Sequence, residues 1–362
     1  MSDNNRYSTE IIRDPVRFDA LGPVWDGLFE RALQPHVSQS FEWASCVWET
    51  IMKPRGARLH VLVLREGARP VLIWPLVVLR HRRFWRAVHP LMMGSDHNEV
   101  LVEASPAAPD LAALAVRALR KSRGHDLIAT DWMRTDSVLE GALGAVPALD
   151  TAFTHSVEWS GFADWAAYER GLSSRQVNER RLRRLRECGR VAFEPVGDPD
   201  RQRRLITWFM LRKLERLAVR GMEPLWEGGP MENLIATAAR RVTRFGKLLF
   251  LVLTLDDEPI AVQIAVQDTN RIVAFQIAHE PKFEKYGPGT LIFRYLLQYA
   301  FEHRLPVAHG IGNPQFKKGN VESAVSTRLF ATNAWGQVRM GIRQLRGWQG
   351  QRGAGAPGRG LR

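Results

Sequence analysis

Residues 248–278, LLFLVLTLDDEPIAVQIAVQDTNRIVAFQIA, contain three apolar segments joined by short polar turns at 256–258 and 268–270. Apolar, β-branched segments with turns this short predict three consecutive antiparallel strands. The pentapeptide YGPGT at 286–290 follows them. After it, apolar side chains recur with the spacing of one helix face, at positions 292, 295, 296, 299 and 300. The sequence therefore predicts an antiparallel meander that leads through a Gly-Pro-Gly turn into an amphipathic helix.

The element order of this C-terminal half has a weaker counterpart in the N-terminal half, where a hairpin at 59–79 takes the place of the meander. Small apolar residues around Pro147 mark a crossing between the halves, and the polar first fourteen residues predict a loose segment. We therefore expect a mixed α/β (α+β) fold of two similar units. The expected bounds are residues 1–150 and 151–346, with a disordered Gly- and Arg-rich tail at 347–362.

The composition excludes several classes of protein. Hydrophobic residues make up 45% of the 362 residues, which is ample for a core. The longest apolar run, 71–79, is far shorter than the roughly 20 residues of a membrane span. The N-terminal residues lack the apolar region of a signal peptide, so we expect a cytoplasmic protein without a transmembrane segment. The two cysteines, Cys46 and Cys188, are too few for a disulfide framework or a Cys-rich zinc site.

The net charge of +13 is concentrated in three segments of the C-terminal half. Residues 175–190 carry a net charge of +5, and residues 201–220 and 339–362 carry +6 each. Such charge attracts partners that bear phosphates, including coenzymes, nucleotide-sugars, nucleic acids and anionic lipid surfaces. For each segment taken alone, a solvated arginine-rich helix face is the alternative.

The turn at 286–290 is the strongest local signal for chemistry. The first turn of a helix leaves backbone N–H groups unpaired and carries partial positive charge. Glycine residues let a phosphate approach that backbone closely, and Lys282 and Lys285 add charge nearby. The turn therefore predicts either a phosphate cradle or a loop that only redirects the chain.

Three other segments combine polar groups in ways that suit a site. The loop GNPQFKK at 312–318 follows a predicted strand and offers amides, an aromatic ring and two lysines. At 96–99, Asp-His-Asn-Glu contains a possible acid–base pair. The segment 173–185 joins a serine N-cap to an arginine run. Four of its arginines are too many for one ligand phosphate, so at most two should face a site: Arg175, Arg180, Arg183 and Arg184. The sequence has no spacing typical of a metal site, a Walker loop or a nucleophile elbow.

Four stretches together resemble the GNAT-type acyltransferases of the CelD-like branch, which are related to the Fem-type aminoacyl transferases. They follow the family's order across about residues 155–320: LSSRQVNERRLRRL at 172–185, PIAVQI at 259–264, YGPGTL at 286–291 and GNPQFK at 312–317. Three residues depart from the family pattern. Asn313 stands in place of Asp, Phe316 in place of Tyr, and Glu284 where Arg or Gln is usual. A carboxylate at position 284 would repel a pyrophosphate.

The resemblance implies two tandem GNAT-like halves, each a mixed, largely antiparallel, splayed sheet flanked by helices. It also implies transfer of an acyl group from acetyl-CoA, or another acyl-CoA, to an amine or hydroxyl. The implied donor loop consists of Tyr286, Gly287, Gly289 and Thr290. The implied catalytic candidates are His279, as a general base, and Lys317, on the acceptor side. The implied substrate-binding candidates are Gln263, Asn313, Phe316, Asp96 and Arg175.

Three functions are compatible with these observations. The favoured one is a cytoplasmic N-acyltransferase that modifies a small-molecule or saccharide precursor of exopolysaccharide or envelope material. The second is a Fem-like transferase that uses aminoacyl-tRNA, which the positive charge would suit. The third is a binding module that has kept the fold without the chemistry, as Asn313 and Phe316 suggest. None of the three is expected to need a metal ion.

Overall fold

The computed structural model describes residues 6–81, 85–91, 98–143, 146–219, 221, 229–311 and 320–341. The strands are β1 (Tyr7–Ile12), β2 (Arg58–Leu59), β3 (Val61–Glu66), β4 (Arg69–Trp74), β5 (Leu76–His81), β6 (Trp85–Pro90), β7 (Leu101–Val102), β8 (Leu127–Arg134), β9 (Ala148–Val157), β10 (Val191–Pro195), β11 (Lys247–Leu255), β12 (Glu258–Gln267), β13 (Ile272–His279), β14 (Val307–Ile311) and β15 (Asn320–Ala331). The helices are α1 (Pro15–Asp19), α2 (Gly22–Phe29), α3 (Phe41–Val47), α4 (Ala108–Lys121), α5 (Val138–Leu143), α6 (Trp165–Arg170), α7 (Arg175–Arg186), α8 (Pro199–Val219), α9 (Gly229–Arg241) and α10 (Pro288–Glu302). None of the described helices is both long and apolar enough to cross a membrane.

Two open sheets contain the described strands. The larger has eleven strands in the order β10-β11-β12-β13-β14-β9-β15-β8-β6-β5-β2, and the smaller has the order β1-β3-β4-β7. The predicted meander is present as β11, β12 and β13, which pair antiparallel in sequence. The predicted hairpin is also present, but Pro75 divides its second strand into β4 and β5, which lie in different sheets.

The two halves of the chain share one strand order. In the C-terminal half, β10 to β13 pair antiparallel in succession, and β14 joins β13 in parallel after the crossover helix α10. In the N-terminal half, β1, β3, β4 with β5, and β6 pair in the same way. There β8 joins β6 in parallel after the crossover helix α4. The repeat of element order expected from the sequence therefore has a counterpart in the topology.

Each half is followed along the chain by one more strand, β9 or β15, and the two halves exchange these strands. β9 follows the N-terminal half along the chain, yet it pairs antiparallel with β14 of the C-terminal half. β15 follows β14 along the chain, yet it pairs with β8, and β9 and β15 also pair with each other. The boundary expected between residues 150 and 151 lies inside β9. The existence of two separate domains with these bounds stays a prediction.

The largest hydrophobic cluster lies between the two halves. It joins Trp43 of α3 to Phe209 of α8 and to inward side chains of β11 such as Phe250. The alternate residues of β11, including Leu251, pack in another cluster with Leu296 of α10. Because successive residues of a strand point to opposite faces, α8 and α9 cover one face of the C-terminal sheet and α10 covers the other.

Several local expectations are wrong. Residues 7–12 are not loose, because their backbone pairs with β3 and makes them the edge strand β1. The sequence predicts one helix from about Pro15 to Leu33, ended by Pro35, whereas the structure has two short helices there, α1 and α2. Strand β6 was not expected, since Trp85, Arg86 and His89 interrupt the apolar alternation. The sequence predicts a last strand near Thr327–Ala331, whereas β15 begins at Asn320. The tail from 347 lies outside the described residues.

Candidate active site

The parallel strands β13 and β14 part soon after they begin. Their described residues pair at two positions, Ile272 with Val307 and Val273 with Ala308, although β13 continues to His279. Beyond these pairs the β14-facing edge of β13 has no described strand beside it. Its backbone N–H and C=O groups are therefore open to a ligand. A cavity of about 670 Å³ lies at this opening.

The cavity brings together five of the site residues predicted from the sequence. Its described lining comes from α7, α8, β12, β13, the turn before α10, α10 itself and β14. The lining residues are Arg181, Lys213, Arg216, Gln263, Ala274, Phe275, Gln276, Ile277, His279, Glu284, Gly287, Pro288, Gly289, Thr290, Phe293 and His309. The predicted residues among them are Gln263, His279, Gly287, Gly289 and Thr290. Their roles stay predictions.

The N-terminus of α10 opens into this cavity. Gly287 caps the helix in the left-handed conformation, with φ 60° and ψ 48°, which glycine adopts without strain. Its carbonyl accepts hydrogen bonds from the N–H groups of Thr290 and Leu291, both at 3.0 Å. Pro288 has no N–H group. Of the residues at the start of α10, Gly289 therefore has a backbone N–H that takes no part in the two hydrogen bonds just described. A helix terminus with such a donor is suited to an anion.

His279, at the end of β13, lies directly beside that donor. A Cβ built on Gly289 would stand 3.2 Å from Cδ2 and 3.9 Å from Nε2 of the imidazole. The ring is partly buried and lines the cavity. A neutral imidazole in this position can accept a proton from a nucleophile bound in the cavity.

Arg181 of α7 brings positive charge to the same turn. A Cβ on Gly287 would lie 3.0 Å from Nη1 and 3.1 Å from Cζ of this arginine. Glu284, the carboxylate that departs from the family pattern, also lines the cavity, but its side chain is exposed. The planar fork of donors of the Arg181 guanidinium matches a phosphate group.

A β-bulge shapes the strand edge that faces the cavity. Gln276 lies opposite Ile264 and Ala274 lies opposite Ala265, so Phe275 has no register partner in β12. A bulge of this kind disrupts the ladder locally and redirects backbone groups. The free edge of β13 at the bulge can therefore direct an N–H group at a carbonyl oxygen in the cavity.

Buried side chains hold the bulge from two sides. Nε2 of Gln263 donates to the carbonyl oxygen of Gln276 at 2.9 Å and to that of Ile264 at 3.0 Å. Both amide hydrogens of Gln263 are thus used within the sheet, and its Oε1 is the atom left to face a ligand. From the N-terminal half, Trp43 packs edge-on against Phe275, with ring centroids 5.6 Å apart.

Helix α8 supplies two cations from the opposite face of the sheet. Lys213 and Arg216 are three residues apart, so they lie on one side of the helix, and both line the cavity. The ammonium of Lys213 donates to Oε1 of Gln276, next to the bulge. The cavity therefore has a positively charged wall on each face of the C-terminal sheet.

A second imidazole, that of His309, lines the cavity from β14. Its ring stacks on His155 of β9, with centroids 5.7 Å apart and an interplanar angle of 19°. Phe293 of α10 meets the same ring edge-on at 5.6 Å. The strand β9, which pairs with β14, thus supports the ring of His309 at this side of the cavity.

Other predicted site residues lie elsewhere. Tyr286 is buried, and its hydroxyl lies 3.1 Å from Sγ of Cys188 rather than in the cavity lining. Arg175 is exposed and pairs with Glu179 at 2.7 Å, also outside the cavity lining. Four further candidates fall outside the described residues: Asp96, Asn313, Phe316 and Lys317.

The equivalent opening in the N-terminal half holds a contact between a histidine and an aspartate. Strands β6 and β8 pair in parallel at Ala87 with Leu127 and at Val88 with Ile128, and then they part. Just beyond, Nδ1 of His89 lies 3.2 Å from Oδ2 of Asp131 across the gap. The two halves thus resemble each other in topology and differ in what stands between their parted strands.

Four cationic or imidazole groups of the cavity were not foreseen: Arg181, Lys213, Arg216 and His309. For Arg181 a signal existed, because it lies one turn from Asn178 and Leu185, the two buried residues of α7. The charged segment 201–220 pointed to α8 without showing which side of the helix faces the cavity. Among the described residues, no group of three or more His, Cys, Asp or Glu side chains could hold a metal ion.

Comparisons with known proteins concern the fold of the chain. Residues 173–318 match the family described as the acetyltransferase (GNAT) domain. No curated protein matches the chain. The crystal structure of FemX is similar over 93% of this chain and 100% of its own, with a TM-score of 0.61 and 12% identity. L-PGS from Bacillus licheniformis is similar over 92% of this chain and 96% of its own, with a TM-score of 0.55 and 13% identity.

A conserved protein of unknown function from Bacteroides thetaiotaomicron is also similar, over 89% of this chain and 100% of its own, with a TM-score of 0.53 and 11% identity. Identities this low concern the fold alone. The chain has the GNAT acetyltransferase fold, with open mixed sheets flanked by helices, and the expected fold class is confirmed.

Proposed function

We propose that this chain is an acyltransferase that binds an acyl-CoA where β13 and β14 part. It transfers the acyl group to an amine or hydroxyl of a small-molecule or saccharide precursor. The observation that carries the proposal is the cavity itself, which joins the N-terminus of α10, the free edge of β13 and two positively charged walls. The match to the acetyltransferase domain over 173–318 supports the same assignment.

The residues at the start of α10 fit a donor that carries a pyrophosphate. Glycine at 287 and 289 leaves the backbone open, since a side chain at either position would press on Arg181 or His279. The N–H of Gly289 and the guanidinium of Arg181 then provide hydrogen bonds and charge for the phosphates. Thr290 adds a hydroxyl at the cavity wall.

The proposed acyl transfer requires no covalent bond between the protein and either substrate. The acceptor's nitrogen or oxygen forms a bond to the thioester carbonyl carbon, the C–S bond breaks, and the sulfur leaves as a thiol once it gains a proton. A backbone N–H at the bulge of β13 polarises the carbonyl oxygen. His279 accepts the proton that the nucleophile loses. The walls of the cavity hold donor and acceptor together, which supplies much of the rate.

The acceptor and the location of the reaction belong to the proposal as well. By its resemblance to the CelD-like branch, we propose a precursor of exopolysaccharide or envelope material as the acceptor. Asn313, Phe316 and Lys317, which follow β14 along the chain, are proposed to border its binding site. Acyl-CoA is made in the cytoplasm, so the proposed reaction takes place there.

Binding and turnover with defined donors test the proposal. Calorimetry with acetyl-CoA, a longer acyl-CoA and bulk tRNA is expected to show saturable binding of an acyl-CoA. Release of free thiol from that acyl-CoA, followed with a chromogenic disulfide, should then depend on an added amine. Absence of binding by any acyl-CoA would overturn the proposal and favour a GNAT-fold binding module.

A Fem-like transfer from aminoacyl-tRNA is the second candidate. It is favoured by the likeness of the whole chain to FemX and by the basic segments 175–190 and 201–220. This candidate predicts tRNA binding that weakens steeply as salt is raised, because each phosphate contact releases counterions. Salt-sensitive tRNA binding without acyl-CoA binding would establish it in place of the first.

A further inference from the structure

A second cavity, named the edge cavity below, lies at the edge of the C-terminal sheet and has a volume of about 490 Å³. Its described lining comes from the end of β10, from α8 and α9, from the start of β11 and from α10. None of these residues belongs to the described lining of the candidate active site. A ligand of the edge cavity is therefore distinct from the acyl donor and the acceptor of the proposed function.

The edge cavity forms because β11 extends beyond the end of β10. The N–H of Val196 donates to the carbonyl oxygen of Phe250 at 2.8 Å, and the chain then leaves the sheet towards α8. Leu248 lies two residues before Phe250 in β11, so its N–H and C=O groups point to the same edge. No described strand pairs with that edge at Leu248. These backbone groups are therefore open to a ligand in the cavity.

Apolar side chains form the floor of the edge cavity. Ile206 of α8, Ala239 of α9 and Leu248 belong to the hydrophobic cluster on one face of the sheet. Leu249 and Tyr299 of α10 belong to the cluster on the other face. Ligand pockets typically have volumes of about 300–1,000 Å³ and mostly apolar walls. The size and the floor of the edge cavity therefore suit an alkyl chain, which gains free energy when its surface leaves water.

The rim of the edge cavity is positively charged. Arg203 of α8, Arg240 of α9 and Lys247 of β11 line it, and all three are exposed. The described lining contains no carboxylate. Arg203 pairs with Asp200 in the same helix, and exposed pairs of this kind are weak. The side chains of Arg240 and Lys247 make no ion pair or hydrogen bond within the described part of the chain. The rim therefore attracts an anion.

From these observations we propose that the edge cavity binds an amphipathic anion, an alkyl chain that ends in a carboxylate or a phosphate. The chain covers the apolar floor. The head group accepts a hydrogen bond from the N–H of Leu248 and lies among the cations of the rim, which add charge-assisted hydrogen bonds. A neutral lipid would use the floor alone and an inorganic anion the rim alone, so a molecule with both parts fits the cavity best.

Matched ligands test the proposal by calorimetry with the full chain. Octanoate and octyl phosphate are compared with 1-octanol, acetate and inorganic phosphate. At least one octyl anion is expected to bind saturably and at least about tenfold more tightly than octanol, acetate or inorganic phosphate. The tighter of the two octyl anions distinguishes a carboxylate ligand from a phosphate ligand. Absence of saturable binding by both, or equal affinity for octanol, would overturn the inference.

Variants of the rim locate the bound anion. Arg240→Gln and Lys247→Gln should each weaken binding of the octyl anion about tenfold. Both positions are exposed, so the fold should persist, which thermal denaturation checks. Arg204→Gln is the control, because Arg204 is exposed on α8 beside Arg203 but does not line the cavity. Wild-type affinity in the double variant with Arg240→Gln and Lys247→Gln would contradict the proposed site.

A further comparison separates the edge cavity from the candidate active site. The octyl anion is titrated in saturating coenzyme A and, separately, into Arg181→Gln. Neither change should alter its affinity, because Arg181 lines the other cavity. Loss of binding in Arg181→Gln, with Arg240→Gln and Lys247→Gln unaffected, would assign the anion to the candidate active site and refute the inference. If coenzyme A does not bind, the proposed function fails, whereas octyl-anion binding that depends on Arg240 and Lys247 still supports the edge cavity as a site.

Discussion

The imidazole of His279 packs against the backbone of Gly289, so that a Cβ at residue 289 would stand only 3.2 Å from its Cδ2 atom. This contact joins the end of β13 to the first turn of α10. It places the proposed base, His279, next to the backbone N–H of Gly289, which is proposed to bind a phosphate of the acyl-CoA. A side chain at 289 would therefore disturb both the donor site and the imidazole.

Gly289→Asp is expected to abolish acyl-CoA binding, with at least a hundredfold loss of affinity, roughly 2.7 kcal/mol. The carboxylate would stand where the pyrophosphate should lie and would repel it. The fold should persist, because Asp is favourable in the first turn of a helix. Calorimetry gives the affinity and thermal denaturation gives the stability. Gly161→Asp, where a Cβ would meet nothing within 4 Å, is the control. Wild-type affinity in Gly289→Asp would place the donor elsewhere in the chain.

Gly287→Ala tests the contact with Arg181. Gly287 and Gly67 both have φ +60°, but a Cβ at 287 meets Arg181 at 3.0 Å, whereas a Cβ at 67 meets nothing within 4 Å. Each alanine should cost about 1–2 kcal/mol of backbone strain. Only Gly287→Ala should also weaken acyl-CoA binding, because it displaces the guanidinium. Parallel melting curves and titrations of the two variants measure the difference. Equal donor affinity in both would show that Arg181 does not touch the donor.

Arg181→Gln should weaken acyl-CoA binding by about tenfold or more, since a charge-assisted hydrogen bond contributes roughly 1.5–3 kcal/mol. Its neighbour Arg180 is exposed and does not line the cavity. Arg180→Gln should therefore leave the donor affinity nearly unchanged. Titration of both variants at two salt concentrations makes the comparison. Large, equal losses at 180 and 181 would instead indicate an extended polyanion partner such as RNA.

The side of the cavity formed by the start of α10 could be predicted from the sequence because its residues are close together along the chain. Gly287, Gly289 and Thr290 belong to one turn, and turn chemistry is local. Residue His279 lies only ten positions from Gly289, at the end of the strand before it. The meander and α10 were predictable for the same reason, since short turns and helical spacing are properties of neighbouring residues.

The other side of the cavity depends on contacts that no local pattern contains. Lys213 reaches it because α8 packs over β13, and His309 reaches it because β14 leaves β13 after two pairs. Trp43 packs against Phe275, although the two residues are more than 200 positions apart in the sequence. The exchange of β9 and β15 likewise depends on pairing between distant strands, and the sequence showed only a proline-marked crossing there.

Acid should destabilise the protein through two buried histidines. His60 and His125 pack edge to face, with centroids 5.2 Å apart. Burial, assisted by His125 and nearby arginines, lowers the pKa of His60 to about 3. Burial lowers the pKa of His125 to about 4, although Asp126 opposes the shift. An unfolded histidine has a pKa of about 6.5, so below that pH the unfolded chain binds more protons than the folded one.

The free energy of unfolding should therefore be steady above about pH 7 and fall as the pH drops from about 6.5 towards 4. Between pH 7 and 5 the loss should be about 2 kcal/mol for each histidine that stays neutral when folded. Urea denaturation at both pH values measures it. His125→Phe should reduce the loss, since neither ring nitrogen of His125 makes a hydrogen bond within the described residues. The control variant His303→Gln, at an exposed position, should leave this loss of unfolding free energy unchanged. A loss that is the same in His125→Phe and wild type would assign the acid sensitivity to other groups.

The strand exchange predicts that neither half is stable alone. A chain cut after residue 145 separates β8 from β15, which pairs with it and carries Arg328, the partner of Glu140 in α5. The cut also divides the largest hydrophobic cluster, in which side chains of α3 pack with those of α9. Expressed separately, residues 1–145 and 146–362 should aggregate, because each would expose a strand edge and an apolar face. Expressed together, they should copurify as one complex with a single cooperative thermal transition. A cooperative transition for residues 1–145 alone would show instead that the N-terminal half is an independent domain, with β15 a dispensable addition to its sheet.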